Sequence, residues 1–271
     1  MVQLSLVVPA FAEARYLAGT LRALREFLSA RDWLATTEVV VVTAEAPDGT
    51  PEIARQGLAA FPLAQHIEPG AKLGKGRDVR AGMLAARGEI VLFMDADLAT
   101  PLRHVEPAVS LVRAGHDVVI GRRDLARMHH TLGRRITSQL SNHLVRAVLL
   151  PGIADTQCGF KAFHRSIVAE LFEPLRTMGW GFDLEILVRA RAAGASIAEL
   201  DVPDWADPKG DHGLAGERQW LARLRTLREL AALTLRHGRQ PVRPARWVRP
   251  LASNVEGVDD VLPWADAPQV R

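Results

Sequence analysis

Residues Gly88 to Pro101 read Gly-Glu-Ile-Val-Leu-Phe-Met-Asp-Ala-Asp-Leu-Ala-Thr-Pro. Ile90 to Met94 form an unbroken apolar run with the length of a strand covered on both faces, the pattern of an interior parallel strand. Asp95 and Asp97 follow at once. Carboxylates at the end of a buried strand are costly unless something pairs with them, and in open α/β sheets the carboxyl ends of strands are where ligands sit. Two carboxylates one residue apart reach one hard cation, and Mg²⁺ or Mn²⁺ takes oxygen ligands. A polar turn that merely closes the strand accounts for this stretch equally well.

The flanking chain tips the balance toward an α/β sheet. Upstream, Leu4 to Pro9, Glu38 to Val42 and Ala64 to Glu68 read as strands. A helix opens at Phe11 with Leu17, Leu21, Leu24 and Leu28 on its inner face, and Asp48-Gly49-Thr50-Pro51 turns into a second. A glycine-rich loop, Pro69 to Gly76, carries Lys72 and Lys75 into a helix from about Arg77. Downstream, a helix near Leu102 to Arg113 precedes a strand at Asp117 to Ile120. Arg122 to Leu150 is basic and helical in pattern, Asp155 to Phe163 a loop and short strand, and Ser196 to Val202 a last strand. Strands alternating with helices predict a mostly parallel, doubly wound sheet with helices on both faces. Trp220 to His237 has leucines on one side and arginines on the other; from Gln240 there are five prolines and no periodicity.

Bulk composition narrows the classes further. The 271 residues hold one cysteine, Cys158, which rules out an intramolecular disulfide and fits a reducing compartment. Its neighbours include no paired base, so a core or site-wall role is expected over a nucleophile. The N-terminus shows no signal-peptide pattern and no run is apolar enough for a spanning helix. Residues 214–250 hold nine Arg against two Glu, a basic surface for an anionic partner. Nucleic acid is a poor fit, because aromatics do not interleave with the basic residues.

Four motifs in order, Val8-Pro9-Ala10-Phe11-Ala12-Glu13, Gly74-Lys75-Gly76 through Asp95-Ala96-Asp97, Asp155-Thr156-Gln157-Cys158-Gly159-Phe160-Lys161 and Gly179-Trp180-Gly181-Phe182-Asp183-Leu184-Glu185, resemble the inverting family 2 glycosyltransferases with the GT-A fold. Within that family they look most like enzymes that move glucose or mannose from a nucleotide sugar to a dolichyl or other polyprenyl phosphate. The leucine and arginine periodicity marks an amphipathic basic helix over 213–239, and the Pro-rich composition an extended or disordered tail over 240–271. The resemblance covers roughly residues 1–205 and implies a catalytic domain, placed over 1–212. It implies that Pro9, Phe11, Glu13, Lys75 and Asp95 bind the nucleotide and that Asp95 and Asp97 hold Mg²⁺ or Mn²⁺, with His212 as a further ligand. It implies Arg122, Arg134 and Ser138 at the acceptor phosphate, and Asp97, Asp155, Gln157, Asp183 and Glu185 as the catalytic set in and beneath the sugar pocket. A phosphate acceptor is mostly dianionic at neutral pH and needs no strong base; a hydroxyl acceptor would need Asp155, Asp183 or Glu185 in that role.

Three departures from the family pattern matter. Thr43 to Ala46 stand where relatives carry a base-reading aspartate, leaving Glu45 or Asp48 as substitutes and the nucleotide, UDP-glucose or GDP-mannose type, open. The segment after Trp205 lacks the usual pattern, and Lys209 and His212 take its place. No spanning helix is present, so residues 220–237 are expected to lie on a membrane surface, at the cytoplasmic inner face. The competing expectations are a soluble GT-A transferase with a small anionic or carbohydrate acceptor, and an inactive GT-A scaffold. Phe160, Phe163, Trp180 and Phe182 are expected in the core, with at most one of them stacking on sugar.

Overall fold

The computed structural model describes residues 2–124, 150 and 152–206, and 247–251 as backbone. Its strands are β1 (Leu4–Ala10), β2 (Thr37–Thr43), β3 (Ala64–Ile67), β4 (Ile90–Met94), β5 (Val118–Arg123), β6 (Phe160–His164), β7 (Ile197–Val202) and β8 (Trp247–Leu251). The helices are α1 (Ala14–Ser29), α2 (Thr50–Leu58), α3 (Lys75–Ala85), α4 (Val105–Arg113), α5 (Arg165–Phe172) and α6 (Phe182–Ala192), with a 3₁₀ turn at Leu102–His104. The strands form one sheet in the order β3-β2-β1-β4-β6-β5-β7-β8. Among these strands β6 alone is antiparallel, pairing with β4 on one side and β5 on the other.

Strand alternation builds two apolar layers. Leu6 and Val8 of β1, Val39 and Val41 of β2 and Leu92 of β4 face α1, α2 and α4. Val7, Val40, Val42, Val91 and Phe93 face α3, α5 and α6. In α1 the predicted stripe Leu17, Leu21, Leu24 and Leu28 is buried, as the 3.6-residue period requires. The helix begins at Ala14, later than Phe11, because Ala12 takes a left-handed φ of 55° that no helix continues. In β6, Phe160 and Ala162 turn to the α1 side, whereas Phe163 turns to the α5 and α6 side. Lys161 shares that second face by the period of two.

The chain leaves β1 toward β2 and β3, then returns to β4 on the other side of β1. The carboxyl ends of β1 and β4 therefore flank a topological switch point, where such sheets open a crevice. The tail expected to be extended or disordered contributes β8, added in parallel to β7. The remainder of that tail, the amphipathic segment 220–237 and the basic segment 125–149 lie outside the described residues.

At the opposite end of the sheet a buried carboxylate fixes the start of β4. Glu38 accepts from Ser5 Oγ at 2.7 Å, Gln65 Nε2 at 2.7 Å, the Arg87 amide at 2.8 Å and Arg87 Nε at 2.6 Å. Burial raises its carboxyl pKa, and these donors together bring it below the ordinary value. Its stabilising contribution is therefore complete above the usual glutamate range and is lost as pH falls through the lowered folded value. Replacing Glu38 with Ala is expected to cost about 2–4 kcal/mol, read as a lower urea midpoint at unchanged slope, with the penalty shrinking below about pH 4.

Candidate active site

The turn after β4 is held from three sides. Thr20 of α1 donates its hydroxyl to the Ala96 carbonyl at 2.5 Å. The Asp95 amide donates to the Gly159 carbonyl at 3.2 Å. The Ala99 amide donates to Asp97 Oδ1 at 3.1 Å. Leu98 is thereby kept at a left-handed φ of 51°, a strained geometry that tertiary contacts sustain at functional turns. Asp97 is buried and Asp95 is partly exposed. A Cβ at Gly159 would overlap the Asp95 carboxylate, so the glycine of Asp155-Thr-Gln-Cys-Gly is required by the approach of the two chains.

Charges of alternating sign extend from this turn into the interior. Lys75, the first residue of α3, places its ammonium on Asp95 Oδ1 and lies 5.2 Å from the Trp180 ring centre. Burial acts to lower the Lys75 pKa, but Asp95, Asp183 and Asp97 outweigh it, so the ammonium stays charged. Asp183, in the first turn of α6, takes the Lys161 ammonium at 2.5 Å, and that ammonium also donates to the Cys158 carbonyl at 2.6 Å. Burial holds the Asp183 carboxyl above its ordinary value, and Lys161 and Lys75 offset only part of that rise. The Cys158 thiol is pushed up to about 11 by burial, which keeps it protonated and removes it as a nucleophile.

Asp155 forms a third charged pair. Arg123 grips it in a fork, Nε to Oδ2 at 2.6 Å and Nη2 to Oδ1 at 3.0 Å, and the Gln157 amide donates to Oδ1 at 3.0 Å. Burial raises the Asp155 pKa, yet Arg123 takes it below the ordinary value. Arg123 lies 5.1 Å from the Trp205 ring, and it senses the Asp183 charge. Across the crevice at the end of β1, Phe11 carries the Lys72 ammonium 3.5 Å over its ring.

The structure thus brings Asp95, Asp97, Lys75 and Asp183 together, with Asp155 coupled to them through Arg123. Pro9 is buried within β1, Gln157 is exposed, and the Glu13 amide donates to Thr50 Oγ1 at 3.0 Å. Two of the expected site residues are engaged by other partners in this structure. Arg122, placed at the acceptor phosphate, directs Nε to Asp201 of β7 at 2.5 Å; strand alternation puts its neighbour Arg123 on the site side. Glu185 accepts the Thr177 amide at 2.8 Å, the Arg176 amide and Arg189 Nη2 at 2.6 Å, so it anchors the loop before Trp180. Trp180 is 65% exposed, in contrast to the buried Phe160, Phe163 and Phe182. The Asp48 carboxylate accepts from the Ala14 amide and from the Thr50 amide and hydroxyl, at the starts of two helices. Thr43 bonds His66 Nε2 at 2.8 Å. Arg134, Ser138 and His212 lie outside the described residues.

Arg123 and Lys161 are the functional candidates that sequence reasoning passed over. The parity of β5 identifies the first, and a lysine in alternation between two strand phenylalanines marks the second.

Among the described residues no three His, Cys, Asp or Glu side chains converge as a complete metal site. Asp95 and Asp97 nevertheless fit a hard divalent ion that keeps most positions open, because both offer oxygen and Asp95 already holds a cation, the Lys75 ammonium.

Residues 5–172 match the profile described as Glycosyl transferase family 2. The chain belongs to this family. Among family 2 relatives, the glycosyltransferase AglD of Haloferax volcanii is 38% identical over 78% of this chain and 34% of its own length. The dolichyl-phosphate beta-glucosyltransferase ALG5A of Trichomonas vaginalis is 34% identical over 77% of this chain and 67% of its own. The human dolichyl-phosphate beta-glucosyltransferase is 30% identical over 77% and 68%. The chain thus spans about a third of AglD and about two thirds of the other two. The fold matches glucosyl-3-phosphoglycerate synthase from Mycobacterium tuberculosis, solved with Mn²⁺, UDP and phosphoglyceric acid, at a TM-score of 0.67 and 20% identity over 89% of this chain and 80% of that one. Another structure of that enzyme holds Mg²⁺ and UDP. The architecture is GT-A. Among the described residues no helix is long and apolar enough to cross a membrane.

The geometry at Gly159 gives a direct test. Gly159→Ala is expected to push the Asp95 carboxylate aside and to weaken Mn²⁺-dependent binding of nucleoside diphosphate at least about tenfold, measured by calorimetry, with the far-UV dichroism unchanged.

Proposed function

We propose that this chain transfers a hexose, with inversion, from a nucleotide sugar to a polyprenyl phosphate at the cytoplasmic face of a membrane. One observation carries the reading: the carboxylates of Asp95, Asp155, Asp183 and Glu185 are each held by a cation, respectively Lys75, Arg123, Lys161 and Arg189. A hydroxyl acceptor needs a carboxylate ready to take its proton. A phosphate monoester arrives already deprotonated, with a second pKa near about 6. The names of the relatives, dolichyl-phosphate beta-glucosyltransferases, support this acceptor and glucose as the sugar; the donor is proposed to be UDP- or GDP-linked.

In the proposed step an acceptor phosphate oxygen attacks the anomeric carbon, a new C–O bond forms, and the bond to the diphosphate oxygen breaks. The electron pair leaves with the nucleoside diphosphate, and no proton changes hands. Asp95 and Asp97 would hold Mg²⁺ or Mn²⁺. Such an ion supplies electrostatic stabilisation of the charge that develops on the leaving group. Lys75 adds a fixed positive charge beside Asp95. Phe11 and Lys72 border the nucleoside side of the crevice. Arg123 positions Asp155 and keeps it ionised as a pocket wall, and Gln157 beside it presents an amide toward the sugar. Asp183, tied to Lys161, sets the floor. Glu185 is a positioning residue for the loop bearing Trp180. Arg134 and Ser138 remain proposed contacts to the acceptor phosphate, and His212 a proposed further metal ligand.

The test is a panel of UDP- and GDP-sugars offered with detergent-dispersed polyprenyl phosphate and, separately, with phosphoglycerate and simple sugars, scored for the lipid-linked or soluble product. A lipid-linked hexose is expected. Asp97→Ala should lower turnover about a thousandfold or more in a folded protein; unaltered turnover would refute the metal assignment. The rate should also rise with pH through about 6 as the acceptor becomes dianionic, and then level off. A continued rise tracking a higher enzymatic pKa, together with product on a neutral sugar, would support the hydroxyl-acceptor alternative.

A further inference from the structure

Two loops meet at the mouth of the crevice. The Gly76 amide donates to the Met178 carbonyl at 2.9 Å. A Cβ on Gly76 would stand 2.5 Å from the Thr177 carbonyl oxygen and 2.7 Å from Phe182 Cβ, so only glycine permits this approach. Glu185 fixes the second loop from below through the amides of Arg176 and Thr177. The two loops therefore form one rigid rim.

This rim carries the two large apolar side chains that are exposed among the described residues, Leu73 at 58% and Trp180 at 65%. A single exposed Leu or Trp is ordinary. Their concentration on adjacent, rigid loops beside the site is the informative feature. Of the cations in residues 69–77, Lys75 and Arg77 are turned inward onto Asp95 and Asp78, and Lys72 is exposed on the rim. An exposed indole with an exposed ammonium on the same rim is a composition that partitions into the headgroup region of an anionic bilayer.

We infer that the rim of Leu73 and Trp180 rests on a bilayer containing anionic phospholipid and seats the mouth of the crevice at headgroup level. The inference rests on the proposed acceptor: a phosphate attached to a chain embedded in lipid reaches Asp95 and Lys75 only if the mouth lies at the interface. It adds an orientation of the catalytic domain itself, independent of the basic segment at 220–237.

The experiment uses the full chain and vesicles of phosphatidylcholine with or without phosphatidylglycerol, some with brominated acyl chains. The paired change Leu73→Ser with Trp180→Ser is expected to lower partition into anionic vesicles roughly tenfold, with the thermal midpoint unchanged because both side chains are exposed. Trp180→Phe alone should remove a resolvable share of the fluorescence quenched by brominated lipid. Lys72→Glu should weaken binding to anionic vesicles more than to neutral ones. Partition and quenching equal to those of the parent chain would overturn the inference, as would a parent chain that does not bind vesicles at all. Neither result bears on the detergent-based product assay, so the orientation and the reaction can fail separately.

Discussion

The Lys161 ammonium, buried between the Cys158 carbonyl and the Asp183 carboxylate, is the contact on which the rest of the site depends. It links β6 to α6. From Asp183 the alternation of charge continues through Lys75 at the start of α3 to Asp95 at the end of β4. Lys161 and Asp183 are taken fully out of water and Lys75 largely so, a cost their neighbours offset only if all of them stay in place. Removing one member strands a charge, and apolar substitutes of similar volume would stabilise the fold as well or better. An ion chain at this position is therefore hard to explain by stability. It makes sense as a fixed electrostatic environment for a ligand carrying several negative charges.

The fold supports this chain with geometry that tolerates little change. Thr20 and Gly159 constrain the Asp95 turn from opposite sides. Arg123 and Trp205 stack above Asp155, and the Ala206 amide reaches back to the Ala99 carbonyl at 3.0 Å. Asp204 joins the same seam, contacting His104 Nε2 at 2.6 Å and Arg103. Strain at Leu98 is thus held by contacts from α1, β6 and the chain after β7. Preorganisation of this kind lets charged groups act without rearranging when charge develops.

Much of this was legible in the sequence where period and burial coincide. The apolar run before Asp95 and the leucine stripe of α1 fell where expected, because a buried strand and an amphipathic helix each leave one dominant pattern. The antiparallel direction of β6 was not legible: a five-residue strand looks alike in either direction. Helix α5 escaped notice because its eight residues are too short for a clear stripe. In the site, Asp95 and Asp97 were marked by their place after a buried strand, and Asp155 and Asp183 by the resemblance of their motifs to the family. Their cations were harder to identify. Arg122 and Arg123 differ only in parity, and which one faces Asp155 depends on where β5 enters the sheet. Glu185 entered the catalytic set through the family motif it shares with Asp183, yet two residues along α6 turn a side chain by about 200°, which takes Glu185 toward Arg189.

That rotation separates two kinds of carboxylate in one motif. Asp183 faces the charge chain and has two lysines near it; Glu185 faces a loop and has one arginine and two amides. Burial leaves the Asp183 pKa raised despite its lysines, whereas Asp155 is held ionised by Arg123. Among the described residues the carboxylates of Asp95, Asp155, Asp183 and Glu185 are each paired with a cation, an arrangement suited to balancing charge brought by ligands. For a sugar transferase this favours an acceptor that is anionic before it binds. If that anion is anchored in lipid, the exposed Trp180 beside Lys75 stands on the side from which it must enter.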